Sequence, residues 1–117
     1  MSDVLIIAHR GARSLAPENT IAAARKGLEA SADMWELDVQ LTADDELIVM
    51  HDSTLTRTSD AKKRFPGRRP WRVSDYTLAE TQTLDCGYWF NEKDPFGQIK
   101  AGGVSAEDQQ SYVGERA

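Results

Sequence analysis

The chain has 117 residues, a net charge of −5 and the apolar and charged fractions of an ordinary globular protein, enough for one domain with a packed core. That acidic balance argues against a general nucleic-acid binder, which carries an overall basic field. The single cysteine, Cys86, excludes an internal disulfide and fits a reducing compartment.

Met1-Ser2-Asp3 opens directly into Val4-Leu5-Ile6-Ile7-Ala8, an apolar run of strand length. The run is too short for a membrane span or a signal-peptide core and has no basic segment before it, so the expected location is the cytoplasm, with no stable membrane anchor. Continuous apolar runs suit strands buried on both faces of a parallel sheet. His9-Arg10-Gly11 follows at its end. Pro17-Glu18-Asn19-Thr20 reads as a loop and helix start capped by Asn19 or Thr20, and Ile21, Ala24 and Leu28 recur at helical spacing, predicting a helix over 20–30.

Met34 to Leu41 alternates strictly. Trp35, Leu37, Val39 and Leu41 share one face, and Glu36, Asp38 and Gln40 share the other, as in a strand. Strand, helix, strand within this span predicts a βαβ unit. Leu47-Ile48-Val49-Met50 forms a third strand-like run. The short link from Thr42 to Glu46 predicts an antiparallel hairpin turning at Asp44-Asp45. A two-residue turn would place position 38 opposite 51, setting His51 beside Asp38 on one face.

Periodicity ends between 53 and 76. Arg57, Lys62, Lys63, Arg64, Arg68, Arg69 and Arg72, half of the 14 basic residues, fall in this stretch, which reads as an inserted loop or small subdomain. Its charge is open to two readings, a solvated loop or an anion-steering surface. Thr77-Leu78-Ala79-Glu80 has the form of a capping box opening a short helix to about Leu84. Residues 87–103 read as a loop with aromatic anchors Tyr88, Trp89, Phe90 and Phe96, and Ser105 can cap a last helix over 106–113.

Polar residues collect where strands end: His9 and Arg10 after the first, Glu36 and Asp38 on one face of the second, His51-Asp52 after the third. In parallel α/β folds, active sites form at such ends. Two carboxylates two residues apart on a strand can share a hard divalent cation, Mg²⁺ or Ca²⁺. Two imidazoles beside it offer a general base and a general acid, and a guanidinium next to a histidine can hold a phosphate. These parts suit phosphodiester cleavage. Each also has a plainer reading. His9 can be a satisfied strand-end histidine, Glu36 and Asp38 the wet face of a strand, and Arg10 a surface ion-pair partner. Asp52 can be a turn residue bonding its own backbone, and Glu18-Asn19 a helix cap.

The combination is more specific than its parts. His9-Arg10-Gly11, Pro17-Glu18-Asn19-Thr20, Glu36-Leu37-Asp38-Val39 with Thr42 and Asp44, His51-Asp52, Leu55 and Arg57-Thr58 resemble, in order and spacing, the glycerophosphodiester phosphodiesterase family. Leu84-Asp85-Cys86-Gly87-Tyr88-Trp89-Phe90 is similar to a later family segment. The resemblance implies an α/β fold, the N-terminal part of a TIM (β/α)8 barrel, with 1–117 as a partial domain and the insertion after the hairpin.

It also implies metal-dependent hydrolysis of glycerophosphodiesters to sn-glycerol 3-phosphate and an alcohol. Residue by residue, it implies His9 and His51 as the acid–base pair, Arg10 as a phosphate ligand, and Glu36 and Asp38 as ligands of Mg²⁺ or Ca²⁺, with His51 also placed to contact the metal. The expected partner is a small-molecule glycerophosphodiester. The family continues beyond a segment like 113–116 into an acidic motif that supplies another metal ligand, and this sequence ends at Ala117. A truncated barrel is therefore expected, with self-association through its open sheet edge. A catalytically inactive fragment, or a phosphate- or headgroup-binding module without turnover, are the alternatives to an enzyme.

Overall fold

Strands β1 (Ile7–His9) and β2 (Met34–Glu36) lie parallel and are joined by helix α1 (Ile21–Glu29) in a computed structural model that describes residues 3–117. The opening Met1-Ser2 lies outside the described residues. Thr20 is the cap of α1: its side chain accepts from the Ala23 amide. The helix packs on β1 through its smallest residues. A Cβ on Gly27 would stand 3.2 Å from the Ala8 Cβ, and Ala23 is fully buried. The larger side chains Ile21 and Leu28 stay exposed, and with Met34 and Trp35 they line an open apolar groove of about 410 Å³.

The first strand begins later than the apolar run suggests, and it is not buried on both faces. Val4, Leu5 and Ile6 precede the ladder, and Ile7 inside it is 55% exposed. The reason is topological. Among the described residues β1 has one strand neighbour, β2, and α1 packs on it at Ala8, so its other edge and the side chain of Ile7 stay uncovered. A continuous apolar run predicts burial only where enough neighbouring elements exist to provide it.

The alternating strand is divided at Leu37-Asp38 into β2 and β3 (Val39–Leu41), which belong to separate two-stranded sheets. The alternation itself holds, but with the opposite sense of burial. Trp35, Val39 and Leu41 are exposed, whereas Glu36, Asp38 and Gln40 are half-buried. The polar face is the bonded one: the Gln40 side-chain amide donates to the carbonyls of Met50 and Asp52 at 2.7 and 2.6 Å.

β3 pairs antiparallel with β4 (Leu47–Val49), Val39 facing Val49 and Leu41 facing Leu47. This corrects the expected register by one residue. The turn has three central residues, Ala43 to Asp45, closed by the Thr42 amide on the Glu46 carbonyl, with Asp45 left-handed at φ +59°. A hairpin loop of this length needs a left-handed residue at its last position, and aspartate tolerates it. Met50 therefore lies across from Asp38, its amide donating to the Asp38 carbonyl at 2.9 Å, and His51 falls one position beyond.

The aperiodic stretch contributes to a core of its own. Helix α2 (Ala61–Arg64) and a 3₁₀ turn, Val73–Asp75, bury Leu55, Ala61 and Val73 against Ile48 and Met50 of the hairpin. Arg68 is held between Phe65 and Tyr76, 4.1 Å from the Tyr76 ring centre, and pairs with Glu80. Glu80 completes the expected capping box with Thr77 at the start of α3 (Leu78–Thr81).

Residues read from sequence as a plain loop include a helix, α4 (Tyr88–Lys93), whose Trp89 and Phe90 are buried. Phe90 meets Trp89 and Tyr112 edge-to-face at 6.1 and 5.7 Å. Tyr112 ends α5 (Ala106–Tyr112), which starts at Ser105 as its cap predicts. Tertiary burial of two aromatics stabilises α4, which spans only six residues and has no side-chain cap.

Candidate functional site

Two consecutive left-handed residues end β1. Arg10 has φ +58° and Gly11 φ +80°, and a Cβ on Gly11 would stand 2.6–2.9 Å from atoms of Ala23. Only glycine permits this approach without displacing α1. The turn sends the chain back so that the Asn19 amide donates to the Arg10 carbonyl at 2.9 Å, with Asn19 also left-handed at φ +57°. Arg10, Glu18 and Asn19 thereby meet beside β2, although they are not neighbours in sequence.

The charged groups form one chain of contacts. His9 Nε2 lies 3.8 Å from Glu36 Oε1, which also accepts from the Arg10 amide at 3.0 Å. Arg10 Nη1 donates to Glu18 Oε2 at 3.2 Å, and its Nε is 3.7 Å from Asp38 Oδ2. Asn19 Nδ2 donates to the same Asp38 oxygen at 3.1 Å. Glu18 receives both terminal nitrogens of Arg57 at 2.8 and 3.0 Å, while Arg57 also grips Asp52 in a bidentate pair at 2.8 and 3.0 Å. Asp52 Oδ1 is 2.8 Å from His51 Nδ1. His9 and His51 thus stand at the two ends of one network, both substantially exposed, while Glu18 within it is buried.

The electrostatics follow from those contacts. Burial works to raise the Glu18 pKa, but the hydrogen bonds and charge of Arg57, with Arg10 behind it, hold the carboxyl below its ordinary range. The hydrogen bonds from Arg57 overcome partial burial at Asp52 and, with His51 adding, bring it down to about 2. In turn those carboxylates strengthen the protonated state of Arg57. Four carboxylates, of Glu18, Glu36, Asp38 and Asp52, thus face two guanidinium groups, of Arg10 and Arg57. With both imidazoles counted neutral, the excess is two negative charges.

That excess fits a divalent cation. Glu36 Oε2 and Asp38 Oδ1 accept no hydrogen bond among the described residues, and Asn19 Oδ1 is buried without a partner. These are hard oxygens of the kind Mg²⁺ and Ca²⁺ prefer. No group of three histidine, cysteine or acidic side chains converges tightly enough to hold a metal among the described residues, so Glu36 and Asp38 would supply part of a ligand set.

All five residues singled out from sequence, His9, Arg10, Glu36, Asp38 and His51, lie on or beside this network. The register correction separates His51 from Asp38 as direct cross-strand neighbours and joins it to Asp52 instead. Sequence reasoning missed the centre of the network. Glu18 and Asn19 read as helix-cap residues, yet Thr20 alone caps α1 and the other two turn towards Arg10 and Asp38. Arg57 was submerged in a basic run. Its place in the Arg57-Thr58 motif that carries the family resemblance was the available signal.

Residues 9–116 match the glycerophosphoryl diester phosphodiesterase family. A glycerophosphodiester phosphodiesterase of Caldanaerobacter subterraneus subsp. tengcongensis is 47% identical over 89 residues, 76% of this chain and 33% of that protein. A glycerophosphoinositol inositolphosphodiesterase of Mus musculus is 39% identical over 109 residues, 92% of this chain and 20% of that one. Among solved structures, a glycerophosphodiester phosphodiesterase of Agrobacterium tumefaciens aligns with TM-score 0.65 at 44% identity, covering 75% of this chain and 35% of its own. An Oleispira antarctica phosphodiesterase, solved with the product sn-glycerol-3-phosphate, aligns with TM-score 0.69 at 29% identity over 97% of this chain and 35% of that chain. This chain spans a fifth to a third of the length of these two curated relatives.

Proposed function

The chain belongs to the glycerophosphoryl diester phosphodiesterase family, and from that membership we propose that it contributes the first β/α units of a (β/α)8 barrel that hydrolyses glycerophosphodiesters to sn-glycerol 3-phosphate and an alcohol in the cytoplasm. The observation that carries this reading is the network joining His9 to His51 through Glu36, Arg10, Glu18, Arg57 and Asp52, with its negative excess beside both imidazoles.

In this reading Glu36 and Asp38 would hold a divalent cation, Mg²⁺ or Ca²⁺, which when bound would supply neutralisation of charge on the phosphodiester. Arg10 orients the phosphate. Its Nη2 makes no hydrogen bond among the described residues, and its left-handed backbone fixes it against Glu36. His9 and His51 exchange protons with the attacking and departing oxygens. The Asp52 carboxylate on His51 Nδ1 sets the ring's orientation and leaves Nε2 for chemistry or for the metal. Glu18 and Arg57 act through these groups rather than on the substrate. The substrate's own glycerol hydroxyl is the proposed first nucleophile, which gains from being held beside the phosphorus.

The test is release of sn-glycerol 3-phosphate from glycerophosphocholine by the chain, with Mg²⁺ or Ca²⁺ and with chelator, beside His9→Ala. Chelator-sensitive release that disappears in the variant supports the reading. Release that survives both, or none in either metal, refutes it for this chain.

A further inference from the structure

The basic residues of 57–72 are not spread through the molecule's ion pairs. Arg57 serves the site and Arg68 pairs with Glu80. The remaining Lys62, Lys63, Arg64, Arg69 and Arg72 are all exposed, and none has an acidic partner within ion-pair distance among the described residues. The segment holds a single acid, Asp60, in a chain whose net charge is −5, so positive charge is concentrated here and the rest of the molecule is strongly acidic.

The concentration is built into the fold. Lys62 Nζ and the Arg69 guanidinium each lie 5.8 Å from the centre of one ring, that of Trp71. Trp71 is itself fixed, nearly buried, with its Nε1 donating to the Phe65 carbonyl at 2.8 Å. Lys62, Lys63 and Arg64 follow one another on α2, whose Ala61 is anchored in the core. Holding like charges together on a packed scaffold opposes folding unless an anion is present to offset the repulsion.

We propose that this surface docks on an anionic phospholipid bilayer. The five cations are all exposed on α2 and the loop that follows it, which suits a surface of many separate negative headgroups better than one phosphate group. A nucleic acid long enough to extend past the patch would meet the acidic remainder of the chain, whereas a plane can touch the patch alone. The aromatics beneath the cations are Phe65, half-buried, and Trp71, nearly buried, and neither offers a wedge to insert. The contact is therefore peripheral, electrostatic and reversed by salt. It does not depend on turnover by the site.

Flotation of the full chain with vesicles tests this, since flotation separates bound protein from any aggregate. The chain rises with phosphatidylcholine vesicles containing phosphatidylglycerol, stays down with phosphatidylcholine alone, and is released at high salt. Lys63→Glu with Arg64→Glu, two exposed side chains, weakens binding by more than about thirtyfold, the loss expected from removing two cations alone. Lys93→Glu with Lys100→Glu, an equal change of charge elsewhere on the surface, leaves binding within a fewfold of the parent. Equal binding to neutral vesicles would overturn the proposal by pointing to the exposed apolar groups. Equal loss in the two variants would overturn it by pointing to net charge alone, and so would tighter binding to duplex DNA at matched phosphate concentration.

Discussion

Arg57 is the hinge of the charged network, and Arg57→Ala should expose how much of the fold depends on it. The variant strips the bidentate partner from Asp52 and both terminal nitrogens from Glu18. At about 1.4 kcal/mol per pKa unit, the fall of Asp52 from 3.8 to about 2 corresponds to roughly 2.5 kcal/mol. The Arg57 side chain is 44% exposed, so solvent screening reduces Arg57's share to about 1 kcal/mol. The Glu18 side chain is only 6% exposed and would keep just the Arg10 bond, a loss of about 2 kcal/mol more.

Arg57→Ala is thus expected to cost about 3 kcal/mol in urea unfolding at pH 7, and Arg57→Lys nearly as much, because one ammonium cannot fork between two carboxylates. Both carboxyls have folded pKa values below their ordinary ones, so their contribution is present above those ordinary values and fades as pH falls through the folded ones, about 2 for Asp52. The gap between parent and variant should therefore narrow on acidification from pH 5 to about 2. A gap below about 1 kcal/mol at pH 7, or one that does not change with pH, would refute the reasoning.

Three further outcomes rest on single positions. A Cβ on Gly87 would run into the Tyr112 carbonyl, a backbone atom that cannot swing aside, so Gly87→Ala should lower stability by more than about 3 kcal/mol in thermal unfolding. Asp45→Gly relieves a left-handed aspartate in the hairpin turn and should stabilise by about 0.5–1 kcal/mol; a loss of stability would show that the Asp45 side chain has a role beyond the turn. Burial pushes the Cys86 thiol up to about 12, with Asp60 and Asp85 adding to it, so a maleimide probe at pH 8 should label Cys86 only after unfolding, and rapid labelling of the folded chain would contradict its placement.

Local rules carried much of the architecture. Thr20 and Ser105 cap their helices, Thr77 and Glu80 close a capping box, and the β3–β4 hairpin forms where two apolar runs flank a short polar link. Each depends on contacts within a few residues, which is why a linear pattern reveals it. His9, Arg10, Glu36, Asp38 and His51 also stand out in the sequence, because polar side chains gather where strands end, and the structure sets all five on or beside one network.

What the sequence by itself determined, then, is the locally coded elements, α1, the β3–β4 hairpin, α3 and α5, and their order. Tertiary structure decided the rest. Whether the hairpin turned on two residues or three was settled by Asp45 adopting a left-handed conformation, and that moved His51 from Asp38 to Asp52. α4 exists because Trp89 and Phe90 are buried against partners far along the chain, Tyr112 among them. The strand alternation fixed which residues share a face but not which face is covered. Here the polar face is bonded and the apolar face lies open, because covering depends on neighbouring elements and no strand encodes those. Arg57 joins Glu18 across 39 positions for the same reason. Charge and burial act through space, so the centre of an ion network appears only once the chain has folded back on itself.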